Sequence, residues 1–234
     1  MANVICIILA RGGSKGLPRK NVKLLDGVPL VVRAVKHALE SSLINVCHVS
    51  TDDEEIASIC RSAGAEVPFL RPSHLAKDLS TTEEALQDAL LSYESYANKK
   101  FDICVFLTAT DIFRDPIWID QAIQTLLDNS DLESVFVGHA THKNFWEIND
   151  NGEWVRVRDW MSVYSSRQIR KPIVREDTGL ACASRADLWR NGRRIGDKVD
   201  IIVTNDDFTS IDIHHQEDLD LAEAAINIRR KQGL

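Results

Sequence analysis

The sequence has few cysteines, and they follow no ligand or disulfide pattern. Its 234 residues contain five, an odd number without a CxxC motif: Cys6, Cys47, Cys60, Cys104 and Cys182. Zinc sites need closely spaced cysteine and histidine ligands, and a disulfide framework pairs an even number of cysteines, so the pattern argues against both. Four of the five lie in apolar surroundings, which predicts reduced core cysteines in a cytoplasmic protein.

Long apolar runs and an excess of positive charge are absent as well. No apolar run approaches the ~18 residues of a membrane-spanning helix, and no basic segment of a signal peptide precedes Val4, so neither is predicted. The net charge of −7 argues against nucleic acid as a partner. A length of 234 residues without internal repeat, linker or low-complexity segment predicts a single domain, residues 1–234.

Two common phosphate-binding motifs, GxxxxGK[ST] and GxGxxG, are missing, yet a third kind of glycine-rich loop is present. It follows an apolar run from Val4 to Leu9 that predicts a buried strand. The loop contains three glycines, a serine, a proline and four cations: Arg11, Gly12, Gly13, Ser14, Lys15, Gly16, Pro18, Arg19 and Lys20. Glycine lets backbone N–H groups converge on an anion, and the cations supply charge for a polyphosphate. An anion site is therefore favoured over a solvated basic turn.

The remaining chain alternates predicted strands and helices. Apolar runs predict strands at residues 3–9, 46–50, 66–70, 101–107, 134–138, 179–183 and 199–204, with a short one at 210–213. Helical spacing and capping residues predict helices at residues 30–41, 54–63, 83–98, 117–128, 186–190 and 216–231. This order predicts an α/β fold, with a mostly parallel sheet, helices on both faces and ligands at the carboxyl ends of the strands.

The alternation breaks between about residues 140 and 175. This segment contains Trp146, Trp154, Trp160, several arginines and an Asn151-Gly152 turn, which together predict a β-rich insertion with a hairpin. Two roles stay open for it. It is either a structural flap or an aromatic-rich surface that binds a second subunit.

The segment LARGGSKGLPRKN closely resembles the nucleotide-binding signature of the CMP-sialic acid synthetases, or acylneuraminate cytidylyltransferases, whose common form is roughly LAR-x-x-SKG-[LI]-P-x-KN. In that family the loop holds the triphosphate of CTP. The resemblance implies a Rossmann-like fold of the nucleotide-diphospho-sugar transferase type. It also implies that the insertion at 140–175 is a small β-rich dimerisation segment, and that the protein is a homodimer.

The matching motif positions imply which residues of this chain contact the nucleotide. FLRPSHLAKD matches the family's LRP-x-x-LA-x-D, in which the arginine, here Arg71, helps to bind the nucleotide. The implied contacts are Leu9, Ala10, Arg11, Gly12, Gly13, Ser14, Lys15, Lys20, Asn21, Arg71, Ser80 and Thr81. Arg11, Lys15 and Lys20 are also implied in catalysis. Capping of the following helix by Ser80 or Thr81 is an alternative that can coexist with nucleotide contact.

A metal site is implied by SIDIH at residues 210–214, where the family has S-[IV]-D-I-D. Residues two apart on a strand share a face, so two carboxylates in this motif can hold Mg²⁺. Asp212 matches the first carboxylate and is implied as a catalytic metal ligand. His214 replaces the second, so it is either a weaker ligand or a structural residue, and Mn²⁺ is an alternative ion.

The implied acceptor site departs from the family pattern. LTATDIFR stands where the family has LQPTSPLR, and RQIRKPIVREDTGL resembles its RQ-x-x-P…NG-x-[IV]-Y segment. The implied sugar contacts are Thr108, Thr110, Arg114, Arg167, Gln168, Arg175, Thr178 and Gly179. For Arg114, a structural salt bridge that closes its loop is an equal alternative. Departures at Thr108, Thr178, Cys182 and His214 suggest an unusual acid sugar.

The resemblance thus implies a transferase that moves CMP from CTP to the anomeric hydroxyl of a nonulosonic, 2-keto-3-deoxy acid sugar, releases pyrophosphate and uses Mg²⁺. Two alternatives stay open. One is a nucleotidyltransferase of the same fold that uses UTP or GTP and a sugar phosphate. The other is a CTP-binding protein without catalysis, because His214 interrupts the metal pair.

Overall fold

The computed structural model describes residues 2–163, 166 and 168–233. Eleven strands are formed, β1 to β11 in chain order: Val4–Leu9, Leu24–Leu25, Val28–Pro29, Val46–Ser50, Ile103–Leu107, Ser134–Thr141, Trp146–Ile148, Trp154–Arg156, Ile173–Glu176, Cys182–Arg185 and Val199–Thr204. Six α-helices, α1 to α6, accompany them: Leu30–Glu40, Glu54–Ser62, Thr82–Ala97, Ile117–Asp128, Ala186–Arg190 and Gln216–Gln232. The strand–helix alternation therefore produces the predicted α/β fold.

Seven strands form the central sheet, in the order β11-β6-β10-β5-β1-β4, with β9 added on β6. Strand β1 is parallel to both β4 and β5, and β11 is parallel to β6. Strands β10 and β9 run antiparallel to their neighbours. Because β1, β4 and β5 end in register, the loops that follow them meet at one edge of the sheet.

Alternating side chains of β1 divide the core into two layers. Cys6 and Ile8 pack into one apolar cluster with helices α1, α2, α4 and α6. Ile5 and Ile7 face the other cluster, which α3 and α5 cover. A strand buried on both faces explains why residues 4–9 are almost continuously apolar. All five cysteines are buried and free. In the described part of the chain, no helix is long and apolar enough to cross a membrane.

Side-chain caps set the start of the two helices nearest the cleft described below. Asp53 accepts a hydrogen bond from Ile56 N at 2.9 Å and begins α2. Thr81 begins α3 with a capping box, in which its hydroxyl accepts from Glu84 N at 3.2 Å and Glu84 accepts from Thr81 N at 2.9 Å. These contacts explain why both starts lie within one residue of the predicted positions.

Several predicted strands are wrong in extent. Residues 66–70 form a single bridge, between Glu66 and His48, and residues 210–213 form one bridge at Asp212. The strand predicted at 179–183 begins only at Cys182, because Leu180 N closes a turn onto Asp177 O. Conversely, the strand predicted at 134–138 continues to Thr141, since β9 pairs with its last four residues. The insertion contains the predicted hairpin, β7 and β8, with Gly152 at a φ of 80°.

A buried histidine makes the stability of this fold pH-dependent. His48 is fully buried on β4, its Nδ1 is 2.9 Å from Glu66 O, and its Nε2 has no partner. Burial lowers the pKa of His48 from 6.5 to about 4. Between pH 6.5 and about pH 4, His48 binds a proton in the unfolded chain but stays neutral in the folded protein. The free energy of unfolding therefore falls as the pH falls. We expect unfolding in urea to show a loss of about 2 kcal/mol from His48 between pH 7 and pH 4.5.

The substitution His48→Phe isolates this contribution. Phenylalanine keeps the ring contacts with Phe69 and Tyr93, whose centroids lie 5.3 and 5.1 Å from that of His48. The variant should lose less stability on acidification than the wild type, whereas His74→Phe, at an exposed position, should not change the pH dependence. Identical pH profiles for His48→Phe and the wild type would contradict the assignment.

Candidate active site

A cleft of about 370 Å³ lies at the carboxyl ends of β1 and β5. The loop after β1, the start of α3 and the loop after β5 form its walls. Its lining includes Leu9, Arg11, Ser14, Lys20, Asn21, Arg71, Leu75, Lys77, Asp78, Ser80, Thr81, Thr82, Ala85, Phe106, Thr108, Ala109, Thr110 and His214. Residues that are up to about 200 positions apart in the chain thus line one polar cleft.

The loop of residues 10–21 is held in shape by carboxylates of the next strand end. Gly12 N donates to Asp52 Oδ1 at 2.9 Å, and a Cβ at residue 12 would lie 2.8 Å from Asp53 Oδ2. Arg19 has a φ of 58° and pairs with Asp53 and Glu55. The guanidinium of Arg19 therefore fixes the loop to α2, although the sequence pattern counts it among the anion-binding cations.

Two other cations of the loop share one carboxylate. Lys15 Nζ is 2.7 Å from Asp78 Oδ2, and Arg11 Nη2 is 3.3 Å from Asp78 Oδ1. Arg11 also donates to Lys77 O at 3.0 Å. These pairs hold the pKa of Asp78 below its usual value. The two side chains expected to bind phosphate therefore converge on an internal anion.

Lys20 is a partly buried loop cation that lines the cleft. Its Nζ donates to Ile213 O at 2.8 Å, which brings the charge beside Asp212. Burial lowers the pKa of Lys20, and the negative charge of Asp212 opposes that shift. The neighbouring Asn21 is buried and donates from Nδ2 to Arg11 O at 2.9 Å, so it supports the loop backbone.

The opposite wall adds a buried cation and a helix N-terminus. Arg71 lines the cleft, and its Nε donates to Ser50 Oγ at 2.9 Å. Burial lowers the pKa of Arg71 to about 10, which leaves it charged at neutral pH. The first turn of α3 borders the same space, and the helix dipole favours an anion there. Thr81 therefore combines the capping role with a position at the cleft.

Eight of the twelve nucleotide contacts implied by the resemblance line the cleft: Leu9, Arg11, Ser14, Lys20, Asn21, Arg71, Ser80 and Thr81. Ala10 instead lies fully buried in the core. Gly12 packs against Asp52 and Asp53, as described above. Gly13 lies exposed at a neighbouring depression with Lys77 and Asp78, and the Lys15 side chain is 80% exposed.

Arg114 does not face the cleft. It is buried, and its guanidinium donates to the carbonyls of Thr108 at 2.9 Å, of Gly179 at 2.5 Å and of Leu180. Burial lowers its pKa to about 10. Its donors are directed at backbone that joins the loop after β5 to the turn before β10. For Arg114 the sequence left open a sugar contact or a salt bridge that closes its loop. The structure supports the loop-closing role, but the partners of Arg114 are backbone carbonyls and not a carboxylate.

The other implied sugar contacts divide into two groups. Thr108 and Thr110 line the cleft, and Thr178 and Gly179 are buried directly behind Thr108. Arg175, by contrast, lies on β9 and binds Asp177 through two contacts, at 2.7 and 2.9 Å. Gln168 is exposed and does not line the cleft. Arg167 lies outside the described residues.

Asp111, which contacts the cleft residue Thr108 but does not itself line the cleft, was missed by the sequence reasoning. Thr108 Oγ1 donates to Asp111 Oδ2 at 2.5 Å, and Asp111 pairs with Asp212 in an isolated antiparallel bridge. Burial raises the pKa of Asp111 to about 6, and the charge of Asp212 adds to this effect. The available signal was an acidic residue inside LTATDIFR, at the end of a buried strand.

Asp212 and His214 share a face, as their spacing predicts. His214 Nε2 is 2.7 Å from Asp212 Oδ2, whereas Asp212 Oδ1 is buried and has no hydrogen-bond partner. Within residues 2–163, 166 and 168–233, no three or more histidine, cysteine or acidic side chains form a metal-binding group. An unpaired carboxylate oxygen fits a hard cation that takes one or two protein oxygens and completes its shell with phosphate oxygens and water.

A family model described as cytidylyltransferase matches residues 5–211. Post-translational flagellin modification protein B of Campylobacter coli is 27% identical over 100% of this chain and 99% of its own length. The CMP-N,N'-diacetyllegionaminic acid synthase of Legionella pneumophila is 28% identical over 97% of this chain and 98% of its own length.

A shorter match and a solved structure agree with these relatives. The pseudaminic acid cytidylyltransferase of Campylobacter jejuni is 32% identical over 154 residues, 64% of this chain and 65% of that protein. The structure of CMP:2-keto-3-deoxy-manno-octonic acid synthetase complexed with CTP superposes with a TM-score of 0.70 at 15% identity, covering 97% of this chain and 100% of that one, which shows a common fold. Since the family model spans most of its length, this chain belongs to the cytidylyltransferase family.

Proposed function

We propose that the protein transfers CMP from CTP to the anomeric hydroxyl of a nonulosonic, 2-keto-3-deoxy acid sugar. The observation that carries this proposal is the convergence of Arg11, Lys20, Arg71 and the N-terminus of α3 on one cleft. Three cations and a helix dipole suit a triphosphate better than a neutral ligand. The names of the relatives, which include a legionaminic acid synthase and a pseudaminic acid cytidylyltransferase, support the acceptor class.

In the proposed reaction, the hydroxyl oxygen of the sugar attacks the α-phosphorus of CTP and gives up its proton to the solvent. The bond from that phosphorus to the bridging oxygen of the β-phosphate breaks, and pyrophosphate leaves. Arg11 and Lys20 offset the charge that develops on the phosphate oxygens, and Thr108 and Thr110 contact the acceptor. Asp212 would hold Mg²⁺, or Mn²⁺, which supplies further charge neutralisation when bound.

Pyrophosphate release tests this function. The protein is incubated with Mg²⁺ or Mn²⁺, with CTP, and with each member of a panel of 2-keto-3-deoxy acid sugars that includes sialic, legionaminic and pseudaminic acids and an octulosonate. UTP, ATP and GTP with the same sugars, and with sugar phosphates, are the controls. Release with CTP and one acid sugar is expected, whereas release only with another nucleotide and a sugar phosphate would contradict the proposal.

A second function is favoured by one contact. His214 stands where the family motif has its second carboxylate, and its Nε2 contacts Asp212 Oδ2. A CTP-binding protein without catalysis would show this feature. That protein would bind CTP and release no pyrophosphate with any acceptor. His214→Asp distinguishes the two, since a large gain in activity indicates a decayed site and a loss indicates that His214 is adapted to the reaction.

The carboxylate of Asp78 should compete with the triphosphate for Arg11 and Lys15, because it occupies both cations in the absence of nucleotide. Asp78→Asn is expected to tighten CTP binding about 2- to 5-fold, the scale of exposed charge pairs. Calorimetric titration with CTP at physiological salt measures this change. Asp131→Asn, at an exposed position, is the control. Weaker CTP binding by Asp78→Asn would contradict the competition.

We further propose that residues 1–234 form one domain, and that it dimerises through the insertion at 140–175. The β7–β8 hairpin exposes Trp146, Ile148 and Trp154, with fractional exposures of 47, 58 and 66%. Large apolar side chains this exposed are typical of an interface that a partner covers. Sedimentation velocity of the wild type and of Trp154→Ser tests this, and the variant is expected to shift towards monomer.

A further inference from the structure

We propose that Asp111 forms, with Asp212, the carboxylate pair that holds the divalent metal of the metal–CTP complex, in place of the pair that His214 interrupts. This inference rests on the proposed function, because it assigns a role within the same reaction. It adds a residue that no motif of the sequence identifies, since Asp111 and Asp212 are about 100 positions apart.

The backbone geometry places the two carboxylates on one face. Asp111 and Asp212 are direct partners in an antiparallel bridge, and Ile213 N donates to Thr110 O at 3.4 Å beside it. Direct partners in such a bridge project their side chains to the same side, with Cβ atoms about 5 Å apart. One cation can be shared by two carboxylates at this separation.

The surroundings of Asp111 fix its side chain in place. Thr108 Oγ1 donates to Asp111 Oδ2 at 2.5 Å, and Asp111 N donates to Thr108 Oγ1 at 3.2 Å. A Cβ at residue 179 would lie 1.9 Å from Asp111 Oδ2, so only glycine at that position leaves room for the carboxylate. Gly179 was implied as a sugar contact, and the structure gives it this packing role as well.

The arrangement of Asp212 also favours Asp111 over His214. His214 approaches the Oδ2 atom of Asp212 as a hydrogen-bond partner, and its side chain is 61% exposed. The Oδ1 atom of Asp212 is buried and unpaired. Imidazole is a poor ligand for Mg²⁺, whereas a second carboxylate is a good one. Lys20, held on Ile213 O beside this pair, offsets part of its negative charge.

The test measures metal binding rather than activity. Mn²⁺ is titrated into the protein with CTP equimolar to the protein and no acceptor, and free Mn²⁺ is followed by electron paramagnetic resonance against a matched titration of CTP alone. Asp111→Asn and Asp212→Asn are each expected to weaken Mn²⁺ binding at least about 10-fold, the scale of losing a ligand or its support. His214→Gln is expected to change it much less. The control Asp177→Asn neutralises a nearby carboxylate that binds Arg175 and does not pair with Asp212.

CTP binding by the wild type with saturating Mg²⁺, measured by calorimetric titration, separates the two proposals. If the wild type binds no CTP under these conditions, the proposed function fails. If it binds CTP and the Mn²⁺ affinity of Asp111→Asn equals that of the wild type, the inference fails and the proposed function stands. Equal weakening by Asp111→Asn and Asp177→Asn would also overturn it, because it would show a general charge effect. Thermal unfolding without metal confirms that each variant folds.

Discussion

Replacing Lys20 by alanine is expected to lower kcat/KM with CTP at least about 100-fold, the scale of removing one donor that stabilises transition-state charge. Lys20 lines the cleft, and its hydrogen bond to Ile213 O holds it beside Asp212. Negative charge moves onto the leaving pyrophosphate as the bond to the α-phosphorus breaks, and a cation at this place stabilises that charge. Initial rates of pyrophosphate release over a range of CTP concentrations measure the effect.

Lys36→Ala is the matched control for this experiment. Lys36 is exposed on α1, and it does not line the cleft. The control should retain the wild-type rate, and both variants should unfold at temperatures close to that of the wild type. If the rate of Lys20→Ala lies within about twofold of the wild-type rate, Lys20 does not stabilise the transition state, because the loss of such a charge donor lowers the rate far more than twofold.

Arg114→Met is expected to destabilise the fold by about 3 kcal/mol, because the carbonyls of Thr108, Gly179 and Leu180 would lose their donor inside the protein. Methionine fills a similar volume, so most of the loss comes from unpaired backbone oxygens rather than from a cavity. For a chain of this length, the melting temperature should fall by roughly 6–12 °C. Thermal unfolding followed by circular dichroism measures the shift.

Arg193→Met provides the comparison. Arg193 is exposed and pairs with Asp197 at 3.0 Å, and such surface pairs contribute at most about 1 kcal/mol. Its melting temperature should therefore stay close to that of the wild type. The result that would restore the direct ligand role of Arg114 is an unchanged melting temperature together with a raised KM for the acid sugar.

The nucleotide side of the site was predictable from the sequence because its residues are close together in the chain. The loop of residues 10–21 combines glycines and cations in one contiguous segment, and Arg71, Ser80 and Thr81 fall within a second short segment. Eight of twelve implied contacts line the cleft. The exceptions have local causes: Ala10 continues the buried strand, and Gly12 serves the packing against Asp52 and Asp53.

The acceptor and metal side was less predictable because it is assembled from distant segments. Neither the bridge between Asp111 and Asp212 nor the three carbonyls around Arg114 has a local signal in the sequence. Contacts between distant segments also decide which cations of the loop face the cleft. Sequence spacing groups Arg19 with Lys20, but the fold pairs Arg19 with Asp53 and Glu55 at the start of α2, whereas Lys20 lines the cleft.

The sequence by itself determined the α/β alternation, the buried strand before the basic loop and the family of the chain, since each is a local pattern of hydrophobicity, turn residues or motif. The tertiary structure alone decided which charged groups face the ligand and which hold the fold. Arg11 and Arg114 are both arginines in loops that follow strands of the central sheet, yet one lines the cleft and the other is buried against carbonyls. Burial and hydrogen-bond partners make that difference, and both depend on contacts between residues far apart in the chain.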